Sequence, residues 1–226
     1  MLELPFYIYF IFSVAVFFTF MVFLSAANYG RNVLIVVFSW VMIQGLLAYF
    51  GYYSDISKEP AKFLLGVPPT LLCIIVLFLS KKGRLWINTL NLKTLTLVHI
   101  VRIPVEIVLY WLFLFEKVPE LMTFEGRNFD ILAGLTAPII YYFGFVKKKL
   151  DRKFIVIWNG LGLLLLMNIV INAILSAPLP FQQFAFDQPN IAIFYFPFIW
   201  SPIFIVPVVL FAHMVAIQRF FKKELW

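Results

Sequence analysis

Pro5-Phe-Tyr-Ile-Tyr-Phe-Ile-Phe-Ser-Val-Ala-Val-Phe-Phe-Thr-Phe-Met-Val-Phe-Leu-Ser-Ala-Ala27 runs for 23 residues without a charged side chain. About 20 mostly apolar residues in helical form cross a hydrocarbon core of ~30 Å, so this stretch reads as a membrane span. The same signal recurs along the chain, giving spans near 5–27, 31–53, 63–80, 92–115, 128–146, 154–176 and 195–219. Short polar breaks separate them, such as Asn28-Tyr-Gly-Arg31. Lipid offers no partner to open backbone groups, so each span must be helical. The expected fold is all-α: one transmembrane domain over residues 1–226, a bundle of seven helices without a soluble domain.

Composition agrees. Of 226 residues, 63% are hydrophobic and 13% charged, where a soluble domain is nearer half apolar and a quarter charged. Mean hydropathy is +0.97. An ordinary cytosolic enzyme, a disordered tail and a disulfide scaffold are excluded, the last also because Cys73 is the sole cysteine. The start, Met1-Leu-Glu-Leu-Pro5, lacks a basic n-region, so the first span reads as retained and not as a cleaved signal.

The net charge of +7 follows topology. Thirteen basic residues fall on one side: Arg31, Lys81, Lys82, Arg84, Lys93, Lys147, Lys148, Lys149, Arg152, Lys153, Arg219, Lys222 and Lys223. Lys58, Lys62, Lys117 and Arg127 fall on the other, and Arg102 lies within a span. The positive-inside rule then places the N-terminus outside and the C-terminus in the cytoplasm. Nucleic acid is not needed to explain the charge, and the expected surroundings are the lipid bilayer.

Several connections carry further expectations. Residues 81–93, with Trp86, read as a short amphipathic turn along the interface. Tyr52, Tyr53 and Trp226 suit an aromatic belt. Pro178-Leu-Pro-Phe-Gln-Gln-Phe-Ala-Phe-Asp-Gln-Pro189 is apolar enough to fold back over the outer mouth, as a lid or an interfacial anchor.

Ionisable residues at membrane depth are costly, so each is a candidate site. The fourth span carries His99-Ile-Val-Arg-Ile-Pro-Val-Glu106. His99, Arg102 and Glu106 share one helical face, and Arg102 can pair with Glu106 at i, i+4. Pro104 removes the donor for the carbonyl near Ile100, which predicts a kink beside the charges. Asn168 and Asn172 lie one turn apart in the sixth span, and Asp130 opens the fifth. Glu106, Asn168, Asn172 and Asp130 are expected to line an outward-opening cavity with Arg102. Packing glue between helices is the competing account.

A second constellation is set by depth. His99, His213 and Cys73 each lie ~9–12 Å below the inner rim at 1.5 Å per residue, level with Gly160 and Gly162. Two facing histidines could hold haem b; with Cys73 they could hold a transition metal. The seventh span contains Pro197, Pro202 and Pro207, which predicts a bent or unwound helix whose freed carbonyls need cover.

Absent motifs narrow the field. The seventh span has no lysine for a retinal Schiff base, and no H-E-x-x-H, P-loop, G-x-G-x-x-G or G-x-S-x-G occurs. The runs His99-Ile-Val-Arg-Ile-Pro-Val-Glu-Ile-Val-Leu-Tyr-Trp111 and Met122-Thr-Phe-Glu-Gly-Arg-Asn-Phe-Asp-Ile-Leu-Ala-Gly-Leu-Thr-Ala-Pro138 resemble uncharacterised bacterial seven-span inner-membrane proteins. That resemblance implies a bacterial plasma-membrane address and carries no activity.

The leading functional expectation is binding or transport of a small polar or anionic ligand. Arg102 would recognise it, Glu106 would act as counter-ion or proton acceptor, and Asn168 and Asn172 would orient it. The alternatives are a membrane redox or metal protein using His99, His213 and Cys73, and an accessory subunit or homo-oligomer whose polar face meets a partner.

Overall fold

The computed structural model describes residues 2–54 and 62–221. The expectations placed on Lys58, Lys222, Lys223 and Trp226 lie outside the described residues. Among those described, every regular element is helical and no strand occurs. The helices are α1 (Phe6–Ala26), α2 (Arg31–Tyr49), α3 (Phe63–Leu79), α4 (Lys81–Thr89), α5 (Leu92–Leu114), α6 (Ile131–Val146), α7 (Arg152–Leu175) and α8 (Ser201–Phe221). A helix occupies each of the seven expected segments. Five of them, α1, α2, α5, α7 and α8, are long and apolar enough to cross a membrane.

The remaining two apolar helices are shorter, Gly66–Leu79 within α3 and Ile131–Val146. At 1.5 Å per residue, α6 extends ~24 Å. It starts later than the expected residue 128 because Asn128 turns the chain there, its Oδ1 accepting from Asp130 N at 3.0 Å. The last span is also shorter than expected. Residues 195–200 form an irregular entry, and α8 begins as a π turn over Ser201–Ile205.

α8 is the axis of the bundle. In its span 67% of residues are buried, against 22% for α2 at the periphery. Apolar burial alone does not join helices in lipid, so close approach and hydrogen bonds must do it. Gly45 of α2 gives a close fit, since a Cβ there would lie 2.7 Å from the Trp200 ring. The Trp200 indole donates to the Val41 carbonyl at 2.8 Å. Pro207 has no N–H to give to the carbonyl four residues earlier, Ile203. That carbonyl instead accepts from Trp40 Nε1 and Thr70 Oγ1, each at 3.3 Å. Neighbouring side chains from α2 and α3 thus provide the cover expected for the proline-rich segment.

The connection at 81–93 contains a true helix. Ser80 caps α4 by accepting from Gly83 N at 3.0 Å, and Trp86 stacks on Phe211 of α8 at 6.0 Å. Of the two tyrosines expected at an interface, Tyr52 is exposed and Tyr53 is buried. Tyr53 is buried because its hydroxyl donates to Gln44 Oε1.

The connections at 115–130 and 177–192 are pinned. Gln188 Nε2 donates to the carbonyls of Phe113 and Val118 at 3.0 and 2.7 Å. Asn190 Nδ2 donates to Ala173 O at 3.2 Å, and Ile191 and Ala192 both donate to Lys117 O. The 177–192 segment therefore lies across the ends of α5 and α7.

Thr70→Val should destabilise the fold by about 0.6–1.7 kcal/mol, the span of single interhelical hydrogen bonds in membranes. Adding Trp40→Phe should cost more than the two single losses together, because Ile203 O then has no donor. Reversible unfolding in mixed micelles measures both.

Candidate functional site

Pro104 places a break in α5 where the polar residues sit. The helix tightens to a 3-10 turn over Leu97–Val101 and resumes α-helical winding at Arg102. Gly134 lets α6 close onto this turn. A Cβ there would come within 3.0 Å of Ile103 Cγ1 and 3.2 Å of the His99 carbonyl oxygen. The approach brings Asp130, just before α6, beside Arg102.

Arg102 is buried and spends its terminal nitrogens on three neighbours. Nη1 pairs with Asp130 Oδ1 at 2.8 Å. Nη1 and Nη2 both reach the Gly162 carbonyl on α7 at 3.3 Å. Nη2 lies 2.9 Å from His213 Nε2 on α8. A guanidinium only donates, so Nε2 of His213 accepts. The ring proton is then on Nδ1 and donates to Asn159 Oδ1 at 2.9 Å. Asn159 Nδ2 completes the chain by donating to Ile155 O at 2.9 Å. One cation thereby links α5, α6, α7 and α8.

This corrects the expected Arg102–Glu106 pair. Both residues are on α5, but the arginine's ion pair is with Asp130, from a different helix. Glu106 takes another partner, its Oε1 accepting from Asn128 Nδ2 at 2.6 Å. Asn128 Nδ2 also donates to Met122 O at 3.0 Å, so the 116–130 connection is tied to α5 through this carboxylate. Glu106 is 1% exposed, and its Oε2 has no hydrogen-bond partner. It remains within electrostatic reach of Arg102 and Asp130.

His99 and His213 meet face to face, with ring centroids 3.9 Å apart and 23° between planes. Trp158 lies edge-on to His99 at 5.3 Å and donates its indole N–H to Thr136 Oγ1 at 2.8 Å. Depth in the sequence correctly pairs the two histidines, but the pairing is not that of a haem site. Axial ligands lie on opposite faces of a macrocycle, and no space separates these rings. Both His213 nitrogens are already engaged by Arg102 and Asn159.

Cys73 does not join the histidines. It is exposed on α3, in a groove with α2 and α8. Among the described residues, no group of three His, Cys, Asp or Glu side chains is placed to hold a metal ion. The predicted trio fails because equal depth says nothing about which way α3 faces.

Asn168 and Asn172 lie outside the Arg102 network. Asn168 is exposed and donates to the Arg127 carbonyl at 2.8 Å, and Asn172 donates to Asn168 Oδ1 at 3.3 Å. They hold the connection that carries Asn128 and Asp130. Residues that the sequence did not single out are Asn128 and Asn159; Gly162, singled out with Gly160 by depth alone, is the glycine that meets His213. A Cβ at Gly162 would meet His213 Cε1 at 2.5 Å, whereas one at Gly160 would meet nothing within 4 Å.

Gly162→Ala should therefore displace His213 from Arg102 and destabilise the protein by about 1–3 kcal/mol, the range for overpacking. Gly160→Ala should be neutral or stabilising by about 0.5–1 kcal/mol through helix propensity. Thermal unfolding of the two purified variants against wild type separates these outcomes.

No curated protein and no solved structure matches the chain. One family does match, and its range takes in every side chain of the buried network while leaving out α1 and α2. Over residues 60–221 the sequence fits the family described as a domain of unknown function (DUF8737), and the chain belongs to it.

Proposed function

We propose that this is a seven-span protein of a bacterial plasma membrane, with its N-terminus outside and C-terminus in the cytoplasm. Its buried centre binds a small polar solute together with a proton. Five helices of spanning length and apolarity support the membrane address, and the basic-residue asymmetry supports the orientation.

The observation that carries the binding reading is Glu106. Its carboxylate is buried with one oxygen on Asn128 and the other without a partner. One guanidinium faces two carboxylates, since Asp130 already neutralises Arg102. A second buried carboxylate in a low-dielectric interior needs a proton or another cation. Arg102 Nε and His99 Nδ1, on the same helix, are likewise buried without partners. Three unfilled hydrogen-bonding positions on one helix of a buried polar cluster suit a small solute with both donor and acceptor groups.

In this reading Glu106 holds the proton. Arg102 recognises a negative or polar group by exchanging part of its contact with Asp130. His213 is held as an acceptor by Asn159 and steadies the guanidinium. Asn168 and Asn172 act at one remove, through the connection bearing Asn128 and Asp130. Entry is from the outer side, beneath the 116–130 and 177–192 segments.

Infrared difference spectroscopy between acidic and alkaline buffer tests the proton site. A protonated-carboxyl band should be present in wild type, vanish in Glu106→Gln and persist in Asp130→Asn. Absence of that band in wild type, or its survival in Glu106→Gln, sinks the reading. For orientation, a Cys73→Ser background carrying Glu125→Cys should react with an impermeant maleimide in intact cells. The Lys149→Cys counterpart should react only after the membrane is opened, and the reverse pattern would invert the topology.

A further inference from the structure

A groove of about 350 Å³ runs along the side of the bundle between α2, α3 and α8, at the opposite periphery of chemistry from the charged centre. Trp40, Ile43, Cys73, Leu77, Ile203 and Phe211 form its walls and floor. The volume is within the ~300–1,000 Å³ of small-molecule sites. Most of its lining is hydrocarbon, and two of its polar side chains, Trp40 and Thr70, already donate to the Ile203 carbonyl. The interior therefore asks for an apolar occupant. A helix, ~10–12 Å across with its side chains, is too thick for this slot, whereas a flexible hydrocarbon chain fits.

The end of the groove is charged. Leu77 lies one turn before Lys81, which opens α4 beside Lys82 and Arg84. On the facing wall, Val36 lies five residues beyond Arg31, the first residue of α2. Arg31, Lys81 and Lys82 are exposed and Arg84 is half-buried. Neither 28–37 nor 77–93 contains an acidic residue. An apolar slot flanked by two stretches that carry four cations and no acidic residue complements a molecule having a hydrocarbon tail and an anionic head.

We propose that this groove is a binding site for one anionic phospholipid, with an acyl chain along Trp40, Cys73 and Leu77 and its phosphate among Arg31, Lys81, Lys82 and Arg84. The lipid covers the side of α8 at which Pro207 breaks the backbone hydrogen bonding. The site depends on the membrane address but not on any role for Arg102 or Glu106.

Native mass spectrometry of the full chain tests it, after purification from phosphatidylglycerol and phosphatidylcholine mixed in equal amounts. Wild type should retain one phosphatidylglycerol in preference to phosphatidylcholine. Cys73→Trp, which fills the slot, should lose it, and Ile43→Trp is the second filling variant should the first not fold. Ile75→Trp, on an exposed face of α3 that does not line the groove, should retain the lipid. Combined Lys81→Ala, Lys82→Ala and Arg84→Ala should reduce the headgroup preference by roughly tenfold or more, as expected for lost cationic contacts at an anionic headgroup. Equal retention of both lipids by wild type, or undiminished retention in both groove-filling variants, overturns the proposal. So does a dimer of this chain that the groove-filling variants dissociate, because a second copy would then be the occupant.

Discussion

The guanidinium of Arg102 is the constraint on which the rest of the bundle depends. Four helices or their first turns meet at it: α5 supplies the cation, the start of α6 an anion, α7 a carbonyl and α8 an imidazole. In water a bundle can be gathered by apolar burial, but lipid tails solvate leucine as well as another helix does. A charge that would be costly in hydrocarbon is stable here only with its partners in place. The same requirement fixes helix positions. Gly134 and Gly162 are the spatial counterpart of the arginine, since each removes a side chain where α6 or α7 must come close.

Around this centre the satisfaction of polar groups is uneven, and the unevenness is informative. Arg102, His213, Asn159 and the Ile155 carbonyl form a chain in which each donor finds an acceptor. The Glu106 branch stops short, with one oxygen on Asn128 and the other free. Buried polar networks stabilise when complete and are strained when partly filled. The incomplete branch is also the one attached to the irregular 116–130 connection and not to a long helix. Change at the site is therefore expected first on the Asn128 side.

Much of this architecture was legible in the sequence. Long uncharged runs such as 5–27 announce helices because the bilayer imposes a length and forbids open backbone. The cluster of His99, Arg102 and Glu106 was legible for the same reason, as costly residues stand out against an apolar background. Partner choice was not legible. The i, i+4 rule sees only one helix and paired Arg102 with Glu106, whereas Asp130 reaches the arginine through the Gly134 contact. Depth matched His99 with His213, but it could not give rotation about the axis, so Cys73 was grouped with residues it faces away from. Asn128 and Asn159 carry no motif; their roles exist only once neighbouring elements are in position.

The ion pair has a further consequence for how the chain is made. Arg102 and Asp130 are 28 residues apart, on consecutive apolar helices, while His213 comes 111 residues after the arginine. A ribosome feeding the chain N-terminus first delivers the aspartate soon after the cation and the imidazole much later. Arg102 can thus meet its counter-ion as soon as α6 follows α5, before α7 and α8 exist. Synthesis order and charge pairing coincide, so the most costly residue in the chain spends the least time in lipid without its counter-ion.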